Sequence, residues 1–264
     1  MSMPVISRRH FLTFPLAVLL SPLTTALAGP QVVKGTYAAD VGILYDMLTF
    51  RLQGNIEESI DRRKGEYQVM AKGTGPGIAN LVDSRGILRD GRWTPVHSQS
   101  WFDVRGRQSR TEIAYDWPKR QIEYHARGET FFLRRLRVVD DIVPISEGVH
   151  IDDVMSATLN YADGRWPSHE GSEYRTLVVR RRRADNEGPD DVASSYRAEV
   201  VPFELKMVPE SSGKLTALFD LSRFSSWARP SQPARIVFAQ NRRPEVITSS
   251  MILGTSITIR FTAT

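Results

Sequence analysis

The histidines and the adjacent carboxylates are the residues of this chain whose side chains could support catalysis or metal binding. After the first 28 residues the histidines are His97, His125, His150 and His169, and the acidic pairs are Glu57–Glu58, Asp140–Asp141, Asp152–Asp153 and Asp190–Asp191. His150 with Asp152 and Asp153 could form a metal site, but no second histidine has ligand spacing, so a helix start is the simpler interpretation of this segment. Glycoside hydrolysis needs two carboxylates facing each other across a cleft, whereas neighbours on a strand point to opposite faces. We therefore expect the acidic pairs to be solvated on the surface.

Other catalytic and cofactor motifs are missing from the sequence. The glycine-rich stretch 73–77 lacks the Gly-Lys-Ser/Thr of a phosphate loop, and the chain has no Gly-x-Ser-x-Gly elbow and no cysteine. The acidic segment 185–191 lacks the spacing of a calcium loop. We predict no cofactor and no metal, and the sequence leaves open whether the protein is an enzyme.

Two groups of residues are candidates for ligand binding. The run Arg180–Arg183 could bind an anionic head group or a sugar acid, and Arg181 is its predicted ligand contact. Neighbours on a strand, however, point to opposite faces, so the four side chains need not form one patch. Four aromatic residues on neighbouring predicted strands form either a core cluster or a stacking platform for sugars or lipid chains: Trp93, Trp101, Tyr115 and Trp117.

The charge balance argues against a nucleic-acid partner. The chain has 35 Lys and Arg against 30 Asp and Glu, a formal net charge of +5. Without Arg8 and Arg9, which lie in a leader that we expect to be removed, 33 basic residues face 30 acidic ones. An excess of this size does not indicate a phosphate-binding surface for nucleic acid.

The first 28 residues are typical of an export signal. Arg8-Arg9 precede an uncharged, mostly apolar run and resemble the twin-arginine motif of bacteria, with the general secretion route as the alternative. Ala26 and Ala28 occupy the two positions that signal peptidase recognises, which predicts cleavage before Gly29. The expected partners are therefore the twin-arginine translocase and signal peptidase. The expected location is the periplasm, with a mature form that does not span a membrane.

The elements that would position these residues are mostly strands. Apolar and polar residues alternate with period two, as in 48–53 and 257–262, which predicts antiparallel strands with one buried and one wet face. Further predicted strands are 66–72, 85–90, 94–104, 109–116, 120–126, 130–138, 174–182, 195–201, 203–207, 215–219, 235–239 and 245–252. Helical spacing from Ile151 to Leu159, with Asp152 and Asp153 in the first turn, predicts one helix. A shorter helical turn is predicted around 78–82, and the loop 185–195 is predicted to be a hairpin tip. We expect a mainly β, single domain over residues 29–264, built as a meander.

Five segments resemble an envelope-protein family called domain of unknown function 3108. They are Ser84–Leu88, Asp90–Pro95, Ile113–Trp117, Gln121–Tyr124 and Asp152–Ala157. The resemblance covers residues 40–165 and, more loosely, the C-terminal strands. It implies a curved antiparallel sheet, a half-barrel or barrel-like meander, wrapped around one helix, as in the half-barrels that carry lipoproteins between membranes. The family has no established activity, so it implies no catalytic residues.

Three functions fit these observations. The first is a non-catalytic periplasmic binding or carrier protein for an apolar or amphipathic envelope component, such as a lipid or glycan, held in an apolar cavity beside the helix. The second is an enzyme acting on envelope polysaccharide with carboxylates assembled by the fold. The third is an assembly or chaperone-like partner that works through an exposed sheet edge.

Overall fold

The computed structural model describes residues 29–169, 172–184, 187–210, 213–229 and 231–263. The strands are β1 Gln31–Ile43, β2 Leu48–Asp61, β3 Glu66–Gly75, β4 Ile78–Arg89, β5 Arg92–Val104, β6 Arg107–Asp116, β7 Gln121–Glu129, β8 Leu136–Pro144, β9 Ser168–His169, β10 Glu173–Arg181, β11 Ala198–Val208, β12 Leu215–Phe219, β13 Ala234–Phe238, β14 Pro244–Ser250 and β15 Ser256–Ala263. The helix α1 spans Val154–Ala162, and two short 3₁₀ helices span Leu221–Arg223 and Ile252–Gly254. The export-signal residues Arg8, Arg9, Ala26 and Ala28 lie outside the described residues, and their roles stay predictions.

All the strands belong to one antiparallel sheet in the order β8-β7-β6-β5-β4-β3-β2-β1-β15-β14-β13-β12-β11-β10-β9. Two meanders, β1–β8 and β10–β15, are joined where β1 pairs with β15, from Gly35 opposite Ala263 to Gly42 opposite Ser256. The predicted mainly β, antiparallel fold with one helix is therefore confirmed.

The two ends of the sheet approach each other, so that the sheet nearly closes into a barrel. Near this seam the Asp141 carboxylate of β8 accepts hydrogen bonds from the Ala198 backbone N–H at 2.8 Å and from Arg197 at 3.1 Å. The bond from Ala198 and that from Arg197 hold the pKa of Asp141 below its ordinary value, although desolvation opposes them. Side chains of β6–β8, including Tyr124 and Val139, pack in one core with residues of β10 and β11.

Some local predictions were wrong. Residues 78–82 begin strand β4 rather than a helical turn, because they pair with β3 and β5. Residues 130–135 are largely a turn, and β8 begins at Leu136. The first strand, β1, was missed. The predicted hairpin tip is the β10–β11 connection, of which Asp185 and Asn186 lie outside the described residues.

The helix lies between the two meanders. Leu159 packs with Ile60, Tyr67, Val69 and Trp93 of the first meander, while Ala157 and Tyr161 pack with residues of β11–β13 in the second. On α1, Val154 is exposed and Thr158 is partly exposed. At nine residues, α1 is much too short to cross a lipid bilayer, and the described residues contain no longer apolar helix that would.

The expectation that Asp152 and Asp153 are solvated surface residues was wrong, since both are buried and Asp152 is 0% exposed. They also precede the helix instead of lying in its first turn. Asp153 is the N-cap: its Oδ1 accepts from the Ser156 N–H at 2.7 Å, and the Ser156 hydroxyl accepts from the Asp153 N–H at 3.0 Å. Its Oδ2 accepts from the Ser84 hydroxyl of β4 at 2.5 Å.

Asp152 connects the helix start to both meanders. Its backbone N–H donates to Leu177 of β10 at 2.8 Å, and its carboxylate contacts five side chains at 2.5–3.2 Å: Arg92, His150, Ser156, Asn160 and Thr176. Arg92 belongs to β5 and Thr176 to β10. A buried carboxylate is tolerated only when hydrogen bonds replace its hydration, and this one has its full complement.

Replacing Asp152 should destabilise the protein strongly. Asp152→Ala leaves Arg92, Asn160 and Thr176 without their buried acceptor, so we expect a loss of about 3–5 kcal/mol in the free energy of unfolding. The matched control is Asp140→Ala, because Asp140 pairs with His125 as Asp152 pairs with His150, yet it is well exposed. The control should lose less than about 1 kcal/mol. Urea unfolding measures both, and equal losses would contradict the anchoring role of Asp152.

Asp153 should make stability depend on pH. Burial raises the pKa of Asp153 above its ordinary value of 3.8, although Ser84 and Ser156 oppose the shift through hydrogen bonds. The unfolded chain therefore loses this proton first, and the stability contribution falls as pH rises from about 4 towards the folded-state pKa. Asp153→Asn keeps a good N-cap and cannot ionise. Urea unfolding from pH 4 to pH 8 should show the variant gaining stability relative to the unmodified chain as pH rises. A constant or reversed difference would contradict this assignment.

Candidate functional site

The candidate site is a cleft of about 260 Å³ near the seam of the barrel, which we call the arginine cleft. It is lined by residues of β6, β7 and β8, by the end of β10 and by Phe224, and six of its lining residues are arginines: Arg110, Arg127, Arg137, Arg180, Arg181 and Arg183. On β7 the alternation of side chains places Arg127 on the face opposite the packed residues Tyr124 and Ala126. The same alternation places Arg137 on the face of β8 that carries the buried Val139.

Four of these guanidinium groups, those of Arg137, Arg180, Arg181 and Arg183, lie near the carboxylates of Glu187 and Glu199, and Glu129 of the cleft wall pairs with Arg134. Arg181 binds Glu187 in a bidentate pair, with N–O distances of 2.5 and 2.8 Å, and Arg137 lies 3.5 Å from the same carboxylate. Arg180 donates to Glu199 at 2.6 Å. Burial alone would raise the pKa of Glu187, but the hydrogen bond from Arg181 and the charges of Arg181, Arg137 and Arg183 lower it below its ordinary value. Glu187 is thus ionised at neutral pH and still leaves a cationic excess.

Part of the donor capacity of these arginines is unused. The Nε atoms of Arg180 and Arg183 are buried and have no hydrogen-bond partner among the described residues. The other groups of Arg183 donate to the carbonyl oxygens of Ser222, Ser225 and Glu187. Burial lowers the pKa of Arg183, Glu187 opposes this shift and the neighbouring arginines add to it, yet an arginine stays charged in proteins. The clustered like charges favour the binding of an anion.

The wall of the arginine cleft is also partly apolar. Tyr124, Ala126, Val139 and Phe224 line it, and the Arg180 guanidinium lies 5.9 Å from the centroid of the Phe224 ring. A volume of about 260 Å³ is small for a whole lipid and suits a head group with the first part of its chain. Arg137 has a second role, since it donates to the carbonyl oxygens of Gly188, Pro189 and Asp191 and so holds residues 188–191 beside β8.

Two other clefts carry no comparable charge excess. One, of about 240 Å³, is lined by Phe203, Phe219 and residues of both charges, and another, of about 390 Å³, lies beside Pro30 and Tyr67. None of the three clefts is lined by a residue of α1. None of these clefts is therefore the apolar cavity that was expected beside the helix. Leu159 and Tyr161 of the helix pack into the core instead.

The predicted aromatic residues do not form one platform. Trp93 is 1% exposed, its ring lies edge-on to Tyr67 and its Nε1 donates to Asp163 at 3.0 Å, so it is a core residue. Trp101 lies on β5 opposite Leu81 and Arg110, and it makes no ring contact among the described residues. Gly86 makes room for the Tyr67 ring, since a Cβ at this position would collide with it.

Tyr115 and Trp117 form a separate stack. Their ring centroids lie 6.1 Å apart with an interplanar angle of 9°, and Trp117 also stacks on His150 at 6.3 Å. Burial raises the pKa of Tyr115 well above its ordinary value, and its buried hydroxyl has no hydrogen-bond partner in the part of the chain that the structure describes. None of the four predicted aromatic residues lines the arginine cleft, whereas Arg180, Arg181 and Arg183 of the predicted arginine run do; the role of Arg181 as a ligand contact stays a prediction.

Histidines of this protein lie beside single carboxylates. His97 lies 3.3 Å from Glu112, and His125 lies 2.9 Å from Asp140. The described ranges contain no group of three or more acidic or histidine side chains that could hold a metal ion. In the arginine cleft, Glu129 and Glu187 are both bonded to arginines, so this cleft presents no pair of free carboxylates for glycoside hydrolysis.

Comparison with known proteins finds a distant structural likeness. No family model and no curated protein matches the chain. Among solved structures, it is similar to a β-barrel-like protein of domain of unknown function 1849 from Brucella abortus. The identity is 9% and the TM-score 0.40, over 89% of this chain and 96% of that one. A likeness at this level assigns neither a function nor a site residue. The resemblance to the family called domain of unknown function 3108 stays a prediction.

Proposed function

We propose that this protein is an exported, periplasmic and non-catalytic binding protein that takes the anionic head group of an amphipathic envelope component into the arginine cleft. The observation that supports it is the placement of six arginines and one glutamate, Glu129, around a confined, partly apolar space, with Glu187 and Glu199 pairing with Arg181 and Arg180. Clustered like charges repel one another, and an anion bound between them removes this repulsion.

The proposed ligand is amphipathic because both kinds of surface line the same cleft. Arg180 and Arg183 line the cleft and supply guanidinium charge for a phosphate, sulfate or carboxylate. Tyr124, Val139 and Phe224 supply apolar area for the carbon atoms next to the charged group. The cleft would thus hold the head of the ligand and leave most of an acyl or glycan chain outside.

Binding can be tested by titration calorimetry with dodecyl phosphate, using dodecyl maltoside as a neutral ligand with the same chain. Arg180→Gln should weaken dodecyl phosphate binding by about 10- to 100-fold, because a charge-assisted hydrogen bond contributes about 1.5–3 kcal/mol. The matched control is Arg175→Gln, since Arg175 lies on the same strand but pairs with Glu204 and does not line the cleft. Equal binding of the two ligands, or an unchanged affinity in a folded Arg180→Gln variant, would refute the proposal.

Export is the second part of the proposal and rests on the leader. Changing Arg8 and Arg9 together to Lys preserves the charge but removes the side chains that the twin-arginine route requires. Cell fractionation should then find the chain in the cytoplasm, whereas the unmodified chain reaches the periplasm. Unchanged delivery of the variant would favour the general secretion route, and an unmodified chain that never reaches the periplasm would refute export.

An assembly function is the second candidate, and a feature of β8 favours it. This strand is at one end of the sheet order, and its outward row includes the exposed residues Leu136, Val138 and Ile142. An exposed apolar edge strand is a ready surface for adding another chain. On this alternative neither dodecyl ligand binds and Arg180→Gln has no effect, so the same titration separates the two candidates.

A further inference from the structure

Several of the most exposed apolar side chains lie at one end of the barrel. In an antiparallel meander the turns alternate between the two ends, so the turns after β1, β3, β5, β7, β10, β12 and β14 share one end. Tyr45 and Met47, in the first of these turns, are 83% and 82% exposed. Phe132 and Leu133 in the turn after β7, and Leu253 in the turn after β14, are also exposed. We call these five side chains the rim.

Contacts between the turns connect the rim into a single surface. The Tyr45 N–H donates to the Gly254 carbonyl at 3.2 Å, and the Tyr45 ring occupies the space that a Cβ on Gly254 would need. The Ile252 N–H donates to the Trp227 carbonyl at 2.8 Å, and the Trp227 ring lies 5.6 Å from that of Phe132. Contiguous exposed apolar residues on a folded protein mark an interaction surface, whereas isolated ones are ordinary.

The charges around the rim indicate the charge of the partner that it would bind. Arg105, Arg135 and Arg229 are exposed at this end, and none of them makes an ion pair within the described ranges. Nearby acidic residues are used in the turns: Asp103 accepts from the Gly106 N–H, and Asp190 accepts from the N–H groups of Phe132 and Leu133. These carboxylates, and that of Asp46 between Tyr45 and Met47, keep their negative charges. The chain segments that connect the strands at this end nevertheless contain eight arginines against six acidic residues, so this end carries a cationic excess.

A second copy of the chain fits this surface poorly. A symmetric contact would place the arginines of one rim against those of the other, and like charges across an interface are unfavourable. An anionic lipid surface offers phosphates for the guanidinium groups and an apolar interior for the tyrosine, methionine, phenylalanine and leucine side chains. Aromatic and aliphatic residues combined with basic residues are typical of proteins that lie on such a surface.

We propose that the rim docks this protein onto an anionic lipid surface. Tyr45, Met47 and Leu133 enter the head-group region together with Phe132 and Leu253. Arg105, Arg135 and Arg229 contact the lipid phosphates. This inference does not depend on ligand binding in the arginine cleft, because neither the five apolar side chains nor these three arginines line that cleft.

The absence of cysteine makes a site-specific test possible. Met47→Cys carries a polarity-sensitive fluorophore on the rim, and Lys64→Cys carries it at the exposed turn between β2 and β3, at the opposite end. With vesicles containing phosphatidylglycerol, we expect a several-fold rise in emission and a blue shift at position 47 only. Because the readout is local, binding by the leader would not produce this difference. An equal response at the two positions, or no response at position 47, would overturn the proposal.

The role of charge is tested with two triple variants that change the net charge equally. Replacing Arg105, Arg135 and Arg229 by Gln should lower partitioning onto phosphatidylglycerol vesicles by about 100-fold, at about fivefold for each arginine. Replacing Arg63, Lys64 and Arg89 by Gln, at the opposite end, should change it by less than about fivefold. Equal effects of the two variants, or equal binding to pure phosphatidylcholine vesicles, would overturn the assignment to anionic lipid. A blue shift at position 47 that grows with protein concentration alone would assign the rim to a second copy.

Discussion

The buried carboxylate of Asp152 is the interaction on which the arrangement of this protein depends. A nine-residue helix has little stability of its own, so α1 needs contacts that hold it in the sheet. Asp152 provides them by accepting from Arg92 of β5 and Thr176 of β10, which belong to different meanders. Because both donors must reach the same carboxylate, these contacts also limit how far apart the two meanders lie at this point. Held in this way, the helix contributes side chains to the core clusters of both meanders.

The sequence predicted the parts of the fold that depend on local patterns. Alternation identified most of the strands, and helical spacing identified α1, although the helix begins at Val154 because Asp153 caps it. β1 was missed because its segment, Gln31–Ile43, lacks clear alternation and is exposed over its first residues. Burial of the aspartates was not predictable locally, since adjacent acidic residues are typical of surfaces. Their partners Ser84, Arg92 and Thr176 come from strands far along the chain.

The candidate site was predictable only in part, for a related reason. The run Arg180–Arg183 was visible in the sequence, and a strand would divide its members between two faces. β10 ends at Arg181, so Arg183 follows a different path and still lines the cleft. Arg137 joins it from β8, which no spacing in the sequence indicates. The aromatic residues lie close together in the sequence but not in the structure. Trp93 packs in a core cluster with residues of β3, whereas Tyr115 and Trp117 stack on each other elsewhere.

Net charge is a poor guide to what this protein binds, because electrostatic interactions in salt extend only about 10 Å. A small overall excess argues against long polyanions such as nucleic acid, which need a basic surface of wide extent. It does not bear on a cleft lined by six arginines and one glutamate, or on an end of the barrel where three exposed arginines accompany exposed apolar side chains. Arg183 at the cleft donates to the carbonyl of Ser225, two residues before Trp227, which packs on Phe132 of the rim. The cationic cleft and the cationic rim therefore share one end of the barrel, where a protein docked on an anionic surface would meet the head group of an amphipathic ligand.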